Sequence, residues 1–290
     1  MIVVELSGNI GEQLFQYAAA RNFSLIYNSD LLLDCTWFNK TRKNKLNPNK
    51  VSLDGFNTVF GLAGSVIINN FLRKKEPFYI SRYPHTVNYK VIRENKKLLA
   101  KEFYDTNPPF YMTGDFRSEI YFEENIEQLK DDLTVNLKGI KKIEIIAEKI
   151  VKKNVVGIYI NRKFVNKNHN TILLDIDYNY YQNAINHFEN EKINLEFIVF
   201  YDENLEDVQK LKINSSIEYF KLYEDENEWK NIYLMSKCKN FIADDSATSW
   251  WAAWLNFDKD RKVIIPQNFS FDIPEITHSK LGIQQNWMKV

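Results

Sequence analysis

The chain has 290 residues, enough for two domains of ordinary size, and is 44% hydrophobic and 26% charged, as soluble globular proteins are. Lys plus Arg and Asp plus Glu both number 38, so no net field draws the chain to nucleic acid, and no RNA-binding aromatic signature or zinc finger is present. No apolar run reaches the about 18 residues of a membrane span.

The opening Met1-Ile2-Val3-Val4-Glu5 lacks the basic and long apolar regions of a signal peptide, so the expected location is the cytoplasm. Cys35 and Cys238 are far apart in sequence and read as reduced core residues. Residues 2–6 read as a strand. A loop, Ser7-Gly8-Asn9-Ile10-Gly11-Glu12-Gln13, leads into a helix over 11–28 with Leu14, Phe15, Ala18, Ala19 and Leu25 on its apolar face. Strand, glycine loop and helix together let backbone N–H groups approach an anion or sugar, although Gly8 and Gly11 have neither dinucleotide nor P-loop spacing. A turn that merely needs glycine is the plainer reading. Residues 31–35 form a second strand. The polar, Asn-rich stretch from Lys40 to Lys50 reads as a solvated loop. Its other reading is contact with anionic lipid, where each basic residue contributes about 1 kcal/mol. Only scattered short elements are expected over 51–107. Residues 110–116 form a strand, followed by a charged helix ending near 133 and a second helix over 140–153. The domain boundary falls there, giving units 1–145 and 146–290.

The second half has a regular rhythm. Strands are predicted at 155–160, 196–201, 216–220, 241–244 and 263–265, with helices at 178–191, 205–213, 226–237 and 249–255 between them. This alternation implies a parallel sheet covered on both faces, and two Rossmann-like α/β domains facing a cleft.

Ligands in such sheets gather at the carboxyl ends of strands. Strand 155–160 ends in Asn161, Arg162 and Lys163, where a guanidinium could grip a pyrophosphate; a solvated basic turn is the plainer alternative. Asp202 follows the next strand and could accept hydrogen bonds from a base or ribose. Asp244-Asp245-Ser246-Ala247-Thr248-Ser249 opens a helix, where hydroxyls and free N–H groups suit a phosphate and also suit ordinary capping. Trp250, Trp251 and Trp254 on that helix read as core. The four histidines show no metal-ligand spacing. Asp175-Ile176-Asp177 precedes a predicted helix and reads as a cap rather than a metal–nucleotide motif.

Three segments carry a family resemblance. Gly8-Asn9-Ile10-Gly11-Glu12-Gln13-Leu14-Phe15-Gln16-Tyr17-Ala18 resembles the Gly-Gly-Leu-Gly-Asn-Gln-Met-Phe-Gln-Tyr-Ala opening of glycosyltransferase family 11, the α-1,2-fucosyltransferases. Gly114-Asp115-Phe116-Arg117-Ser118-Glu119-Ile120-Tyr121-Phe122 is similar to that family's Gly-Tyr-Trp-Gln-Ser-Glu-Lys-Tyr-Phe. Residues 233–239 and 249–256 resemble its C-terminal signature. The family's His-x-Arg-Arg-Gly-Asp-Tyr falls on residues 159–165, with Asn161 in place of the first arginine and Arg162 matching the second. Glu12 stands for an asparagine, and Asp245-Ser246-Ala247-Thr248-Ser249 for Asn-Ser-Ser-Phe-Ser.

The resemblance implies a GT-B fold and metal-independent, inverting transfer of L-fucose from GDP-fucose to a hydroxyl of an oligosaccharide or lipid-linked acceptor, in bacterial surface polysaccharide (O-antigen) synthesis. The C-terminal domain would hold the nucleotide sugar and the N-terminal domain the acceptor. A lipid-linked acceptor would make the enzyme peripheral on the inner membrane face. Arg162 and Lys163 would stabilise the leaving diphosphate, Ser246 and Ser249 would add phosphate contacts, and Asp202 would orient the nucleoside. Asn161 and Asp245 complete the donor side. Gly8, Gly11, Glu12 and Gln13 form the acceptor-side loop, with Glu12 and Asp115 as candidate bases. No metal or other cofactor is expected. The departures leave two alternatives: a transferase with another nucleotide-sugar donor, and an inactive paralogue that binds glycan or a partner.

Overall fold

A computed structural model describes residues 1–41, 51–72, 90–94, 106–137, 140–161, 163–165, 171–173, 175–191, 194–202, 204–223, 227–256, 258, 260–270 and 287–290. The first half is built on a parallel sheet of β1 (Ile2–Glu5), β2 (Leu31–Asp34), β3 (Gly61–Leu62), β4 (Lys90–Arg93) and β5 (Phe110–Thr113), in the order β3-β2-β1-β5-β4. Its helices are α1 (Ile10–Ile26), α2 (Thr36–Thr41), α3 (Ser65–Leu72) and α4 (Ile126–Asp132). Helix α5 (Lys141–Val151) leads into the second parallel sheet. That sheet contains β6 (Val155–Ile160), β9 (Glu196–Tyr201), β10 (Ser216–Lys221), β11 (Asn240–Ile242), β12 (Val263–Ile265) and β13 (Trp287–Lys289), ordered β10-β9-β6-β11-β12-β13. A separate antiparallel pair, β7 (Lys163–Val165) and β8 (Thr171–Leu173), follows β6. The remaining helices are α6 (Tyr178–Glu189), α7 (Leu205–Val208), α8 (Trp229–Ser236) and α9 (Ala247–Trp254).

The two-residue period of β6 explains how one strand serves two cores. Val156, Ile158 and Ile160 join the cluster under α6, whereas Val155 and Tyr159 join the larger one shared with α8 and α9. Helix α1 is buried on nearly every side; Leu14, Phe15, Ala18 and Ala19 have no exposed surface, while Leu25 is only half-buried. The reason is a second layer: α1 packs on β1 with one face and on α9 with another. Phe15 meets the rings of Trp250 and Trp251 at centroid distances of 4.7 and 5.0 Å, and Phe122 stacks on Trp251 at 5.5 Å. Those tryptophans are core, as expected.

Several predicted bounds shift. The strand expected over 110–116 stops at Thr113, because Gly114 and Phe116 leave extended geometry. The charged segment after it makes two single-turn helices before α4. The helix expected over 205–213 is the single turn α7, because Gln182 on α6 captures both backbone groups of Lys212, at 3.0 and 2.9 Å. Asp177 caps α6 by accepting from Tyr180 N at 3.0 Å, the capping role expected for it. Cys238 is buried, and burial pushes its thiol up to about 12; Cys35 is half-buried and also free. Residue 145, the expected domain division, lies inside α5, which packs on α8. Most of the Lys40–Lys50 loop, from residue 42 on, lies outside the described residues. No helix among the described residues is long and apolar enough to cross a membrane.

Candidate active site

Both sheets reverse their winding once: between β1 and β5 in the first, between β6 and β11 in the second. Crevices beyond the carboxyl ends of strands at such points are where α/β sheets bind ligands. Of the residues singled out from sequence, Gly8 to Gln13 and Asp115 lie at the first and Asn161 and Asp244 to Ser249 at the second, with Asp202 one strand over at the end of β9.

In the first crevice, β1 runs through Gly8, at φ +76°, into the cap of α1. Asn9 Oδ1 accepts from Gly11 N at 3.0 Å and Glu12 N at 3.2 Å, while Glu12 Oε2 accepts from Asn9 N at 2.8 Å. This is a reciprocal capping box, legible in the Asn9-x-x-Glu12 spacing rather than in the glycines of the loop. Ile10 N donates to Glu228 Oε2, from the second half, at 3.2 Å. Carboxylates and amides of the protein thus occupy the first turn of α1. Gln13 is buried, donating to Gly8 O at 3.1 Å and accepting from Ser52 N at 2.9 Å. Gln16, to which local patterning assigns no role, bridges the crevice by donating to Ser7 Oγ at 3.0 Å and Gly114 O at 3.3 Å.

Across the crevice, Arg117 Nη2 donates to Glu12 Oε1 at 2.8 Å. Asp115 is exposed, 3.9 Å from Arg117 Nε. Burial raises the Glu12 carboxyl above its ordinary value, and Arg117 pulls it back. The site therefore holds one half-buried carboxylate poised against a guanidinium and one solvated carboxylate.

In the second crevice, Asn161 Nδ2 donates to Tyr159 Oη at 2.8 Å at the end of β6. Arg162 lies outside the described residues, and Lys163 is placed only by its backbone at the start of β7. Asp202 is buried at the end of β9. Beyond β11, Asp244 accepts from Ser246 Oγ. Burial raises the Asp244 carboxyl to about 7 against the opposing hydroxyl bonds of Ser246 and Ser249, with Asp245 and Asp202 adding to the rise. Asp245 is exposed and ties down the following loop, accepting from Ser270 N and Oγ at 2.8 Å each. Ser246 is the N-cap of α9 and accepts from Ser249 N at 3.2 Å. Ser249 is fully buried beneath that turn, its hydroxyl 2.8 Å from Asp244 O and 3.1 Å from Ser246 O. Two buried tyrosines of α6 brace the strand ends from below. Tyr181 donates to Tyr159 O at 2.8 Å and Tyr180 to Ile264 O at 3.0 Å. Their roles depend on the sheet order and left no signal in the sequence. Among the described residues no three His, Cys, Asp or Glu side chains are grouped as metal ligands.

The two crevices adjoin. A Cβ built on Gly11 would lie 2.4 Å from Thr248 N and 2.5 Å from the carbonyl carbon of Ala247, so the first turns of α1 and α9 are in backbone contact. Glycine is required there for close approach of two helices. The partial positive charge at the start of each helix is thereby brought to one place.

Two proteins of Escherichia coli are similar to this chain along nearly their whole length. An O-antigen biosynthesis glycosyltransferase, WbnK, is 27% identical over 91% of this chain and 93% of its own. An alpha-1,2-colitosyltransferase is 28% identical over 89% of each. Among solved structures, Arabidopsis thaliana FUT1 in complex with GDP matches with a TM-score of 0.54 at 12% identity, over 91% of this chain and 70% of that one. The fucosyltransferase NodZ of Bradyrhizobium matches at 0.51 and 10% identity, over 88% of this chain and 93% of its own. Both share the fold, the two-sheet GT-B arrangement. The family match itself runs over residues 1–289, and the chain belongs to glycosyl transferase family 11 as a glycosyltransferase.

Proposed function

We propose that the protein is a metal-independent, inverting transferase that moves L-fucose from GDP-fucose to a hydroxyl of an oligosaccharide or lipid-linked acceptor in bacterial surface polysaccharide synthesis. The observation that carries this reading is the contact of α1 with α9 at Gly11, which joins one crevice from each sheet. A donor in the second crevice and an acceptor in the first would then meet at that junction. In the reaction, the acceptor oxygen attacks the anomeric carbon opposite the nucleotide. The bond from that carbon to the β-phosphate oxygen breaks, and GDP leaves with its electron pair. The acceptor proton passes to a carboxylate, for which Glu12 and Asp115 are the candidates. Arg162, with Lys163, stabilises the charge growing on the diphosphate, and Asn161, Asp245, Ser246 and the first turn of α9 complete that side. Ser249 holds the turn from beneath, and Asp202 orients the nucleoside. Residues 146–290 would thus serve the donor and residues 1–145 the acceptor. With a lipid-linked acceptor, the basic stretch Lys40–Lys50 would rest on the inner membrane face.

A second reading keeps the chemistry and changes the donor sugar. Asn161 in the donor crevice, and similarity to a protein named for colitosyl transfer, favour it. Calorimetric titration with GDP, UDP, CMP and dTDP, free and sugar-linked, separates the two. Selective binding of GDP and GDP-fucose is expected, weakened about tenfold or more (~1.4 kcal/mol) in Arg162→Ala. Selectivity for another nucleotide would discard the fucose and keep the transferase. No binding at all would leave the inactive paralogue.

A further inference from the structure

The turn over residues 114–117 carries Asp115 and Arg117 into the first crevice, yet a side chain outside the turn sets its shape. Glu94 follows β4 and is tied to the sheet by its N–H, which donates to Thr113 O at 2.9 Å. Its carboxylate folds over the turn, and Oε2 accepts from Asp115 N and from Phe116 N at 2.7 Å each. Successive N–H groups converging on one oxygen form an anion-holding nest, and bonds to a charged acceptor are about twice as strong as neutral ones. The backbone is bent to make it. Phe116 sits at φ +51°, which a bulky residue rarely adopts. At Gly114, a Cβ would come within 2.4 Å of Glu94 Cβ and 2.7 Å of its Oε2, so only glycine admits the carboxylate. Beyond the nest the chain reaches Arg117, and Arg117 reaches Glu12 at 2.8 Å.

We propose that Glu94 is a positioning residue of the transfer reaction: by holding the 114–117 turn it keeps Arg117 on Glu12 and so fixes the aim and protonation of that carboxylate. The inference deepens the reading of Glu12 as acceptor base and rests on it. The charged groups facing Glu12 are Arg117 and Asp115 from this turn, and Glu228 binds the neighbouring N–H of Ile10. Arg117 is the strongest influence opposing burial at Glu12, so loosening it lifts the carboxyl further.

The test compares the full-length protein with Glu94→Ala, Glu94→Gln and Arg117→Gln. The Glu12 carboxyl is titrated by carbon-13 NMR, assigned with Glu12→Gln, and GDP release from GDP-fucose is followed against pH. In Glu94→Ala, the Glu12 titration and the acidic limb of the rate profile should move together to higher pH. There kcat should fall about tenfold or more with the donor KM unchanged. Glu94→Gln, which keeps one oxygen for both N–H groups, should recover most of the loss. Arg117→Gln should reproduce the Glu12 shift, and adding Glu94→Ala to it should add nothing. A folded Glu94→Ala protein in which Glu12 titrates unmoved overturns the proposal. So do additive effects in the double variant and, readable even if Glu94→Ala fails to fold, an Arg117→Gln protein in which Glu12 titrates unmoved. A shifted Glu12 titration in a protein that never turns over GDP-fucose supports the positioning and tells against the donor assignment alone.

Discussion

At the scale of single residues, Gly11 and Asp244 make opposite kinds of statement. Gly11 is a steric necessity: the backbone of Ala247 and Thr248 occupies the space a methyl group would need. Neither helix can yield without opening the junction between the crevices. Gly11→Ala is therefore expected to cost about 3 kcal/mol or more, seen as a fall of roughly 6 °C or more in Tm. A variant with wild-type Tm would mean that the helices are not in contact. Asp244 is an electrostatic liability. Its folded carboxyl titrates near 7 against an ordinary 3.8, so between those values the native state holds a proton that the unfolded chain releases. Stability must then decline as pH climbs from about 4 through 7, and it is lowest above that window. Asp244→Asn keeps an acceptor for Ser246 and removes the charge. It should raise Tm at about pH 8, leave it unchanged near pH 4, and flatten the slope between. Equal Tm values at both pH values would show that Asp244 ionises normally. A crevice bordered by such a costly carboxylate fits a site kept for ligand rather than for stability.

At the scale of elements, Arg261 does for the far ends of α8 and α9 what the caps do for the near ones. It is buried and donates to the carbonyls of Ala252 at 3.0 Å, Ala253 at 2.9 Å and Met235 at 3.2 Å. These lie in the last turns of the two helices, where a cation meets the negative ends of both dipoles. Burial lowers its guanidinium to about 10, which leaves it charged at neutral pH. Arg261→Ala would take this donor from the Ala252 carbonyl, leave Met235 O and Ala253 O to the backbone N–H groups of Cys238 and Asn256, and open a cavity, a loss expected at about 2–4 kcal/mol in urea unfolding. Arg261→Lys should recover little, because one ammonium cannot span two helix ends. A loss below about 1 kcal/mol for the alanine variant would reassign those carbonyls to solvent. Arg261 also shows where sequence reading stops. The strands Val155–Ile160, Glu196–Tyr201 and Val263–Ile265 were legible to the residue, because apolar, β-branched runs between turns have one sensible conformation. The candidate site was legible as strand ends and motifs: Gly8 to Gln13, Asp115, Asn161, Asp202 and Asp244 to Ser249. Its supports were not. Glu94 binds a turn some twenty residues away, Gln16 binds Gly114, and Glu228 binds Ile10 across the whole fold. No local pattern encodes such a pairing, whereas the Asn9–Glu12 box, three residues apart, was there to be read.

At the scale of the whole molecule, the sequence divides into two rhythms while the largest core cluster spans both. One continuous cluster runs from Ile2 in β1 to Phe269 beyond β12. Trp250, Trp251 and Trp254 pack from the second half against Phe15 and Phe122 of the first, and Trp254 Nε1 donates to the buried Glu119 at 3.1 Å. Gly55 leaves room for the ring of Trp229, again from the opposite half. A buried tryptophan removes some 200 Å² from water, roughly 5 kcal/mol at about 25 cal/mol per Å². If half of that surface faces the other unit, three tryptophans contribute about 7 kcal/mol, comparable with the whole stability of a typical domain. Neither half can then unfold while the other stays native. Calorimetry of the full chain should give one transition, and tryptophan fluorescence and far-ultraviolet circular dichroism should report the same midpoint. Two resolved transitions would mean that the tryptophan seam is weaker than its packing implies. A single transition carries a consequence for the enzyme: the spacing of its two crevices is set by side chains packed across the seam. Truncating Trp251 to alanine would then lower Tm and turnover together; on the proposed assignment it would weaken acceptor use more than nucleotide binding, since the second crevice is built on one sheet.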